Sequence, residues 1–136
     1  MSKISFASCV ILDDYGRILL LHRNSGGESG WELPGGRVED YESAEESVVR
    51  EIDEGLGIAV RLTKTLGSGE FEGDYEDYSY TWFQAVIVDA DPQLRQTDAI
   101  DDLEYFETED LLSIALAHSM QILFDKIMSG EVVLDS

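Results

Sequence analysis

With 136 residues, 43% of them hydrophobic, the chain is long enough for one domain over residues 1–136 and too apolar for a disordered protein. Its 29 acidic residues against 9 lysines and arginines give a formal net charge of −20, which excludes nucleic acid polymers and anionic membranes as expected partners. We expect a cytoplasmic protein, because the sequence has no secretion signal, no apolar run near the ~18 residues of a membrane span, and no disulfide partner for its one cysteine, Cys9.

The chain opens with strand-forming residues. Residues 4–12 are rich in strand formers, residues 13–16 supply turn chemistry, and residues 17–22 read as a returning strand, so a β-hairpin is predicted. The glycine-rich loop 23–30 lacks the Gly-Lys-Ser/Thr end of a phosphate-binding loop. We predict that it rims a pocket, where Arg23 either contacts a substrate phosphate or is a surface cation.

Residues 31–36, WELPGG, connect this loop to an acidic segment. Pro34 fixes its own backbone angle, and Gly35 and Gly36 permit turns that are closed to other residues. A backbone carbonyl in this turn can therefore point toward the acidic segment.

The acidic segment has the pattern of a helix. Ser43 is predicted to cap it, with Glu46 completing a capping box, and Gly57 is expected to end it in the left-handed conformation. One face of this helix is predicted to pack against the protein. It consists of Val48, Val49, Ile52 and Leu56.

Two carboxylates, Glu51 and Glu54, lie together beside that face. Like charges at this spacing repel each other, and a bound divalent cation would offset the repulsion, since Mg2+ takes carboxylate and carbonyl oxygens. The alternative is a solvated ladder in which Arg50 pairs with Glu46 and Glu54 and no metal is needed. Composition and spacing leave both interpretations open.

Further strands are predicted after the helix. Residues 58–66 alternate as a strand that Gly67 and Gly69 are expected to end, and residues 70–77 form an acidic loop or strand edge. Residues 78–89 are the clearest strand and are predicted to be central. Their aromatic side chains are core residues, unless one of them stacks on a base. They are Tyr80, Trp82 and Phe83.

The C-terminal part of the chain predicts two helices. Thr108 can cap a helix over residues 110–117, and a second helix over residues 119–128 carries apolar residues to the core. The order of strands and helices supports an α/β fold with a mixed sheet packed between helices.

The segment 36–58 resembles the signature of the Nudix hydrolases. That signature runs G, five residues, E, seven residues, then R-E-U-x-E-E-x-G-U, where U is aliphatic. Eight of its nine specified positions match at the required spacing, and the last Glu of the R-E-U-x-E-E run is replaced by Gly55. The matching residues are Gly36, Glu42, Arg50, Glu51, Ile52, Glu54, Gly57 and Ile58.

The resemblance implies both a fold and a reaction. The implied fold is the Nudix α/β/α sandwich, with residues 103–106 as the short strand before the final helix. The implied reaction is hydrolysis of the pyrophosphate bond in a nucleoside diphosphate linked to another group, such as a nucleoside triphosphate, ADP-ribose or a nucleotide sugar. The partner is then a small-molecule nucleotide, and the resemblance also allows a homodimer.

The resemblance further implies roles for the motif residues. Family members bind Mg2+ or Mn2+ through groups that correspond to Glu51, Glu54 and the backbone carbonyl of Gly35. Arg50 is implied to hold a motif glutamate by a charge-assisted hydrogen bond, with Glu42 as its other acidic partner.

For the catalytic base and for the substrate contacts, the resemblance leaves several candidate residues. In the family, the base is a motif glutamate such as Glu51 or a carboxylate from a distant loop, for which Asp102 and Glu104 are candidates unless they are simply exposed. The candidates for substrate contact are Arg23, Trp31 and Gly36.

Gly55 is the departure from the family pattern, because many members have a metal ligand there. Ser47 points in the right direction but is uncharged, and Glu46 lies two turns before Glu54. A water or a loop carboxylate would have to fill the gap. Besides the enzyme, two hypotheses stay open: a Nudix-fold module that binds nucleotides without turnover, and an acidic protein whose helix binds no ion.

Overall fold

The computed structural model of the chain describes residues 3–24, 29–95 and 99–135. Its strands are β1 (Lys3–Ile11), β2 (Ile18–Arg23), β3 (Gly30–Glu32), β4 (Gly35–Arg37), β5 (Val60–Glu72), β6 (Asp77–Ile87) and β7 (Ile100–Phe106). Its helices are α1 (Ala44–Leu56), a short 3-10 helix (Thr108–Leu112) and α2 (His118–Met128). Among the described residues, no helix is long and apolar enough to cross a membrane.

The strands form two sheets, ordered β4-β1-β6-β5 and β3-β2-β7. Strands β1 and β6 run parallel, from Lys3 opposite Asp77 to Ile11 opposite Ala85, and the other strand pairs are antiparallel. The mixed α/β class predicted from the sequence is therefore confirmed, with the strands divided between two sheets.

The predicted β-hairpin at the start of the chain is wrong, because β1 and β2 belong to different sheets. The chain does reverse at Asp13, whose Oδ1 accepts the backbone N–H groups of Tyr15 and Arg17, each at 2.9 Å. Past the bridge between Leu12 and Ile18, the two strands separate. Both edges of β1 are occupied by β4 and β6, so β2 pairs with β3 and β7 instead.

The two helices pack on opposite faces of β1. Cys9 is buried in the cluster that contains α1, and its neighbour Val10 is buried in the cluster that contains α2, because successive side chains of a strand point to opposite faces. Three buried apolar side chains come from each helix: Val48, Ile52 and Leu56 from α1, and Met120, Leu123 and Phe124 from α2. This layering is the α/β/α sandwich that the resemblance implied.

Strand β5 runs without a break from Val60 to Glu72, so its predicted end at Gly67 and Gly69 is wrong. The pairing register with β6 shifts between Thr65 and Gly67, and a β-bulge of this kind bends a strand without ending it. A Cβ on Gly69 would lie 2.8 Å from the ring of Trp82, so this glycine makes room for the fully buried indole. Strand β6 lies between β1 and β5 and is central, as predicted.

The predicted α-helix over residues 110–117 is wrong. The chain forms the 3-10 helix Thr108–Leu112 and then runs alongside β3. The backbone N–H of Trp31 donates to the carbonyl of Ala115, and the carbonyl of Trp31 accepts the backbone N–H of Ala117, both at 2.9 Å. These bonds occupy backbone groups that a continuing helix would need.

Candidate active site

Helix α1 carries the acidic motif and is fixed at both ends by the predicted residues. Ser43 Oγ accepts the N–H of Glu46 at 3.1 Å, and the Glu46 carboxylate accepts the N–H of Ser43 at 2.9 Å, which completes the capping box. Gly57 follows the helix in the left-handed conformation, with φ of 68°. Glu46 is thus engaged in the cap, so the alternative ladder forms at Arg50 and Glu54 but not at Glu46.

The inner face of α1 differs from the prediction at Val49, which is 37% exposed. The buried position beside Val48 belongs to Ser47, whose Oγ donates to the carbonyl of Arg37 at 3.1 Å. A buried hydroxyl needs such a partner, because it has lost its hydrogen bonds to water. The bond ties the first turn of α1 to β4, so Ser47 faces the sheet.

Glu51 lies directly against Gly36 of β4. A Cβ on Gly36 would lie 2.5 Å from Cδ and 2.7 Å from Oε2 of Glu51, closer than real side chains approach. Glycine at this position therefore lets the carboxylate reach the edge strand. Burial of the Glu51 carboxyl raises its pKa from the ordinary value.

Arg50 joins three carboxylates into one cluster. Its Nε and Nη2 donate to both oxygens of Glu42, at 3.0 and 2.7 Å. Its Nη1 donates to Glu51 at 3.1 Å and to Glu54 at 3.2 Å. The bond from Arg50, with help from a backbone N–H, lowers the pKa of Glu42 to about 2, and the three carboxylates raise the pKa of Arg50. One guanidinium thus faces three carboxyl groups, so acidic groups outnumber basic ones in the cluster.

The donors in this cluster suit a hard divalent cation. Glu51 and Glu54 offer carboxylate oxygens, Gly35 borders the small cavity beside Glu51, and Mg2+ prefers oxygen ligands while it keeps several waters. The excess negative charge left by Arg50 favours a cation there. Within the described residues, no group of three or more His, Cys, Asp or Glu side chains is arranged to hold a metal. The fit therefore depends on two carboxylates completed by backbone oxygen and water.

An aromatic cavity of about 460 Å³ begins on the other side of the same glycines, Gly35 and Gly36. Its aromatic walls come from three adjacent strands, and the cross-strand ring centroids lie 5.6 to 6.2 Å apart. The four side chains are Phe6 on β1, Phe71 on β5, and Tyr78 and Tyr80 on β6. The cavity thus presents a row of rings to a ligand.

A second, smaller cavity of about 110 Å³ lies beside Glu51 and is bordered largely by aliphatic residues of α1, β2 and β7. Arg23, Glu32 and Gly35 line both cavities, so the two spaces meet at these residues. Arg23 donates to Glu32 through Nε at 2.5 Å and through Nη2 at 3.3 Å. The predicted substrate-contact residue Arg23 therefore stands at the junction, paired with a carboxylate.

The aromatic residues that the sequence indicated as possible ligand contacts lie in different parts of the structure. Trp31 packs against His22 and Phe106, with ring centroids 5.0 and 4.7 Å away, and it is absent from the described residues that line the two cavities. Tyr80 faces the aromatic cavity, whereas Trp82 and Phe83 are core residues. The structure brings Gly36 and Arg23 to the cavities, but it places Trp31 in the packing of the second sheet.

Asp102 and Glu104 lie on β7 rather than on a loop, and both are exposed. Leu103, between them, packs against the core that contains α1. Because side chains alternate along a strand, the two carboxylates project from the face opposite to that core. The structure does not bring them beside Glu51.

Several residues that line the cavities were not predicted as site residues from the sequence. Phe71 and Tyr78 are seven residues apart but pair directly across the β5–β6 hairpin, which a correct hairpin register would have revealed. Phe6 joins them through the parallel pairing of β1 and β6, for which the sequence carries no local signal. Glu32 lies inside the WELPGG segment, but its partner Arg23 comes from a different strand.

The space into which a side chain at position 55 would project is empty. A Cβ on Gly55 would meet no atom within 4 Å, and the residue borders the small cavity together with Glu51. Its carbonyl accepts the N–H of Arg95 at 2.9 Å, which satisfies one of the free carbonyls at the end of α1. The departure from the family pattern therefore leaves a space beside the cluster rather than a packed contact.

Comparison with known proteins identifies the family. A model of the NUDIX domain matches residues 3–127. The chain belongs to the Nudix family. Within this family it is 37% identical over 60 residues to an 8-oxo-dGTP diphosphatase of Proteus vulgaris, a match covering 43% of the chain and 54% of that protein. It is 31% identical over 110 residues to an ADP-ribose pyrophosphatase of Methanocaldococcus jannaschii, covering 79% and 64% respectively. The chain spans about half the length of the curated relatives it matches.

Solved structures of Nudix proteins share this fold. The crystal structure of a MutT Nudix hydrolase from Burkholderia pseudomallei superposes with a TM-score of 0.82 at 28% identity, covering 93% of this chain and 99% of that one. A UDP-X diphosphatase superposes with a TM-score of 0.72 at 23% identity, covering 96% and 65%. The latter likeness concerns the fold alone.

Proposed function

We propose that this Nudix protein hydrolyses the pyrophosphate bond of a nucleoside diphosphate linked to another group, with Mg2+ or Mn2+ as its cofactor. The observation that carries the proposal is the position of Gly35 and Gly36 between an aromatic cavity and the Glu51 carboxylate. A ligand with a flat ring at one end and a diphosphate at the other matches the two sides of this glycine edge. Relatives named 8-oxo-dGTP diphosphatase and ADP-ribose pyrophosphatase support this substrate class.

The aromatic cavity supports binding of the nucleoside part. Its volume of about 460 Å³ lies within the range usual for small-molecule sites. Tyr78 and Tyr80 offer rings on which a base can stack, and Phe6 and Phe71 extend the row to both neighbouring strands. Stacking of this kind is tolerant of base identity, so the cavity supports nucleosides as a class.

The acidic cluster supports binding of the diphosphate and its cation. Glu51, Glu54 and the Gly35 carbonyl would hold the cation, which when bound neutralises the diphosphate and makes a water more acidic. Arg50 holds both glutamates through one nitrogen and is itself oriented by Glu42. This arrangement keeps the two carboxylates close despite their repulsion.

Glu51 is the residue best placed to accept the proton of the attacking water. Its carboxylate is the one held against the glycine edge, where the diphosphate would lie. Asp102 and Glu104 are the alternative bases, but they would have to act from the other face of the second sheet.

A substrate panel tests the proposal. Nucleoside triphosphates, ADP-ribose, nucleotide sugars and dinucleoside polyphosphates would be incubated with the protein and Mg2+ or Mn2+, and the cleaved products quantified. We expect hydrolysis of at least one class that stops when the metal is chelated. The Glu54→Gln variant should lose this metal-dependent turnover and keep its fold, and retained activity would remove Glu54 from the metal site.

Gly55 favours one rival function, a module that binds nucleotides without cleaving them. The space beside Glu51 lacks the carboxylate that the family pattern has there, and a module without turnover would tolerate this loss. Calorimetric binding of compounds from the same panel, combined with no product formation, would support the module and overturn the enzyme.

A further inference from the structure

The small cavity beside Glu51 has walls that a cation and a diphosphate do not use. Its volume is about 110 Å³, and more than half of the residues that border it have aliphatic side chains. They are Leu21 on β2, Pro34, Ile52 and Leu56 on α1, Leu94, and Ile100 on β7. Because hard cations such as Mg2+ take oxygen ligands, these side chains are available to another group of the substrate.

The wall at Leu94 is held in place by the end of α1. The backbone N–H of Gln93 donates to the carbonyl of Leu56 at 3.0 Å, and the backbone N–H of Arg95 donates to the carbonyl of Gly55 at 2.9 Å. Both neighbours of Leu94 are therefore fixed to carbonyls that a helix end leaves free. The Leu94 side chain packs against the core that contains α1. A cavity with a wall held in this way is preformed, as ligand sites usually are.

Gly55 keeps this cavity open on the side of α1. It borders the cavity, and a Cβ on it would meet no atom within 4 Å. A side chain at position 55 would therefore project into unfilled space next to Glu51. Where the family pattern has an acidic side chain, this chain has free volume beside aliphatic walls.

The charges around the cavity favour a neutral group over a further phosphate. Glu51 and Glu32 both border it, and Arg23, the one cation among its described lining residues, is paired with Glu32. An anionic group would face these carboxylates in a chain whose formal net charge is −20. The size is also restrictive, because an apolar cavity of roughly 150 Å³ holds benzene. By that measure, 110 Å³ holds a group of about four or five non-hydrogen atoms.

We infer that the small cavity takes the group X of the substrate and that Gly55 sets its size, so that the preferred substrate is a nucleoside diphosphate ester of a small, uncharged aliphatic alcohol. The inference rests on the proposed function, which supplies the nucleoside and the diphosphate. Water loses its proton to Glu51 and attacks one phosphorus, and the P–O bond to the bridging oxygen breaks. The products are a nucleoside monophosphate and the phosphate monoester of the alcohol.

A series of adenosine diphosphate derivatives tests the size and the charge of X. It consists of the methyl, propyl and hexyl esters of ADP together with ADP-ribose and ATP, so the nucleoside stays constant. We expect the highest kcat/KM for the propyl ester, roughly tenfold above the methyl ester, because two more methylene groups are buried. ATP should be cleaved with a kcat/KM lower by roughly tenfold or more, since its terminal phosphate is charged. Equal values across the series, or a preference for ATP, would overturn the inference.

Gly55→Leu tests the role of position 55, with Gly55→Ala as its matched control. The leucine side chain would fill the cavity, whereas both substitutions replace glycine by a good helix former. We expect Gly55→Leu to lower kcat/KM for the propyl ester to the value for the methyl ester, and Gly55→Ala to keep the preference for the propyl ester. If Gly55→Leu keeps that preference as well, the cavity does not take X and the inference is wrong.

Leu94→Ala tests the same cavity from a wall outside the helix. Backbone bonds from both neighbours hold this segment, so the substitution enlarges the cavity without releasing the wall. We expect the ratio of kcat/KM for ADP-ribose to kcat/KM for the propyl ester to rise severalfold. An unchanged ratio would contradict the inference.

Calorimetry with uncleavable ligands distinguishes failure of the inference from failure of the proposed function. The α,β-methylene analogues of ADP and of its propyl ester would be titrated into the wild type with Mg2+ present. We expect the propyl ester to bind about tenfold more tightly, and Gly55→Leu to remove this difference. Equal affinities for the two ligands in the wild type would overturn the inference alone. Absence of binding by both, with no turnover of any compound in the panel, would overturn the proposed function and the inference with it.

Discussion

Arg50 contacts Glu42 at two points, Nη2 to Oε1 at 2.7 Å and Nε to Oε2 at 3.0 Å. Glu42 precedes helix α1, so a residue outside the helix orients the arginine that holds Glu51 and Glu54 on it. The Glu42 side chain is only 6% exposed, whereas Glu54 is 50% exposed. The cluster therefore has a buried, fixed end at Glu42 and an open end at Glu54, where solvent and ligands have access.

Because of the Glu42 carboxyl, we expect the free energy of unfolding to decrease at acidic pH. Its pKa drops from 4.5 to about 2 on folding, so its contribution is present above pH 4.5 and is lost as the pH falls toward 2. Glu42→Gln should lower the free energy of unfolding at neutral pH and flatten its pH dependence between 4.5 and 2. Chemical denaturation at several pH values measures both effects. Asp53→Asn, which removes an exposed charge from the same helix, is the control and should keep the wild-type slope.

Gly36→Ala should impair activity while preserving the fold. The added Cβ would lie 2.5 Å from Cδ of Glu51, and because the obstacle is the end of a flexible side chain, the carboxylate moves rather than the backbone. Displacing a reacting group by about 1 Å can cost ~100-fold in rate. We expect kcat to fall by roughly that factor with a change in melting temperature of a few degrees at most. An unchanged kcat would mean that the observed position of Glu51 is not required for turnover.

Gly55 allows two substitutions with different expected effects. Gly55→Ala adds a methyl group to open space inside a helix, and we expect a gain in stability of roughly 0.5–1 kcal/mol. Gly55→Glu adds a carboxylate one turn from Glu51 and should tighten Mn2+ binding several-fold relative to Gly55→Ala. Comparing the Mn2+ affinity of Gly55→Glu with that of Gly55→Ala, rather than with the wild type, removes the contribution that any non-glycine residue makes to helix stability. Equal Mn2+ affinities for the two variants would show that position 55 does not face the cation.

Local features of the sequence predicted much of helix α1. Its capping box at Ser43 and its left-handed stop at Gly57 involve residues within one turn, so the pattern contains all the information needed. The error at Val49 arose at the margin of the apolar face, where Ser47 is buried because it bonds to β4. A polar residue with a tertiary partner is invisible to an analysis based on hydrophobicity.

Long-range pairing limited the rest of the prediction. The turn at residues 13–16 was correct, but β1 pairs with β6, about 70 residues away, and this non-local choice removed the expected hairpin. The aromatic cavity depends on the same pairing, since it brings Phe6 beside Tyr78. The motif could therefore predict which carboxylates cluster, whereas the shape and the lining of the cavities required the three-dimensional structure.

The most direct test of the account is Mn2+ binding measured by electron paramagnetic resonance, because it needs no knowledge of the substrate. If Glu51 and Glu54 hold the cation, we expect the wild type to bind Mn2+, Mg2+ to displace it, and Glu51→Gln and Glu54→Gln each to weaken binding by about tenfold or more without unfolding the protein. Wild-type affinity in a Glu51→Gln, Glu54→Gln double variant, or no binding by the wild type, would contradict it.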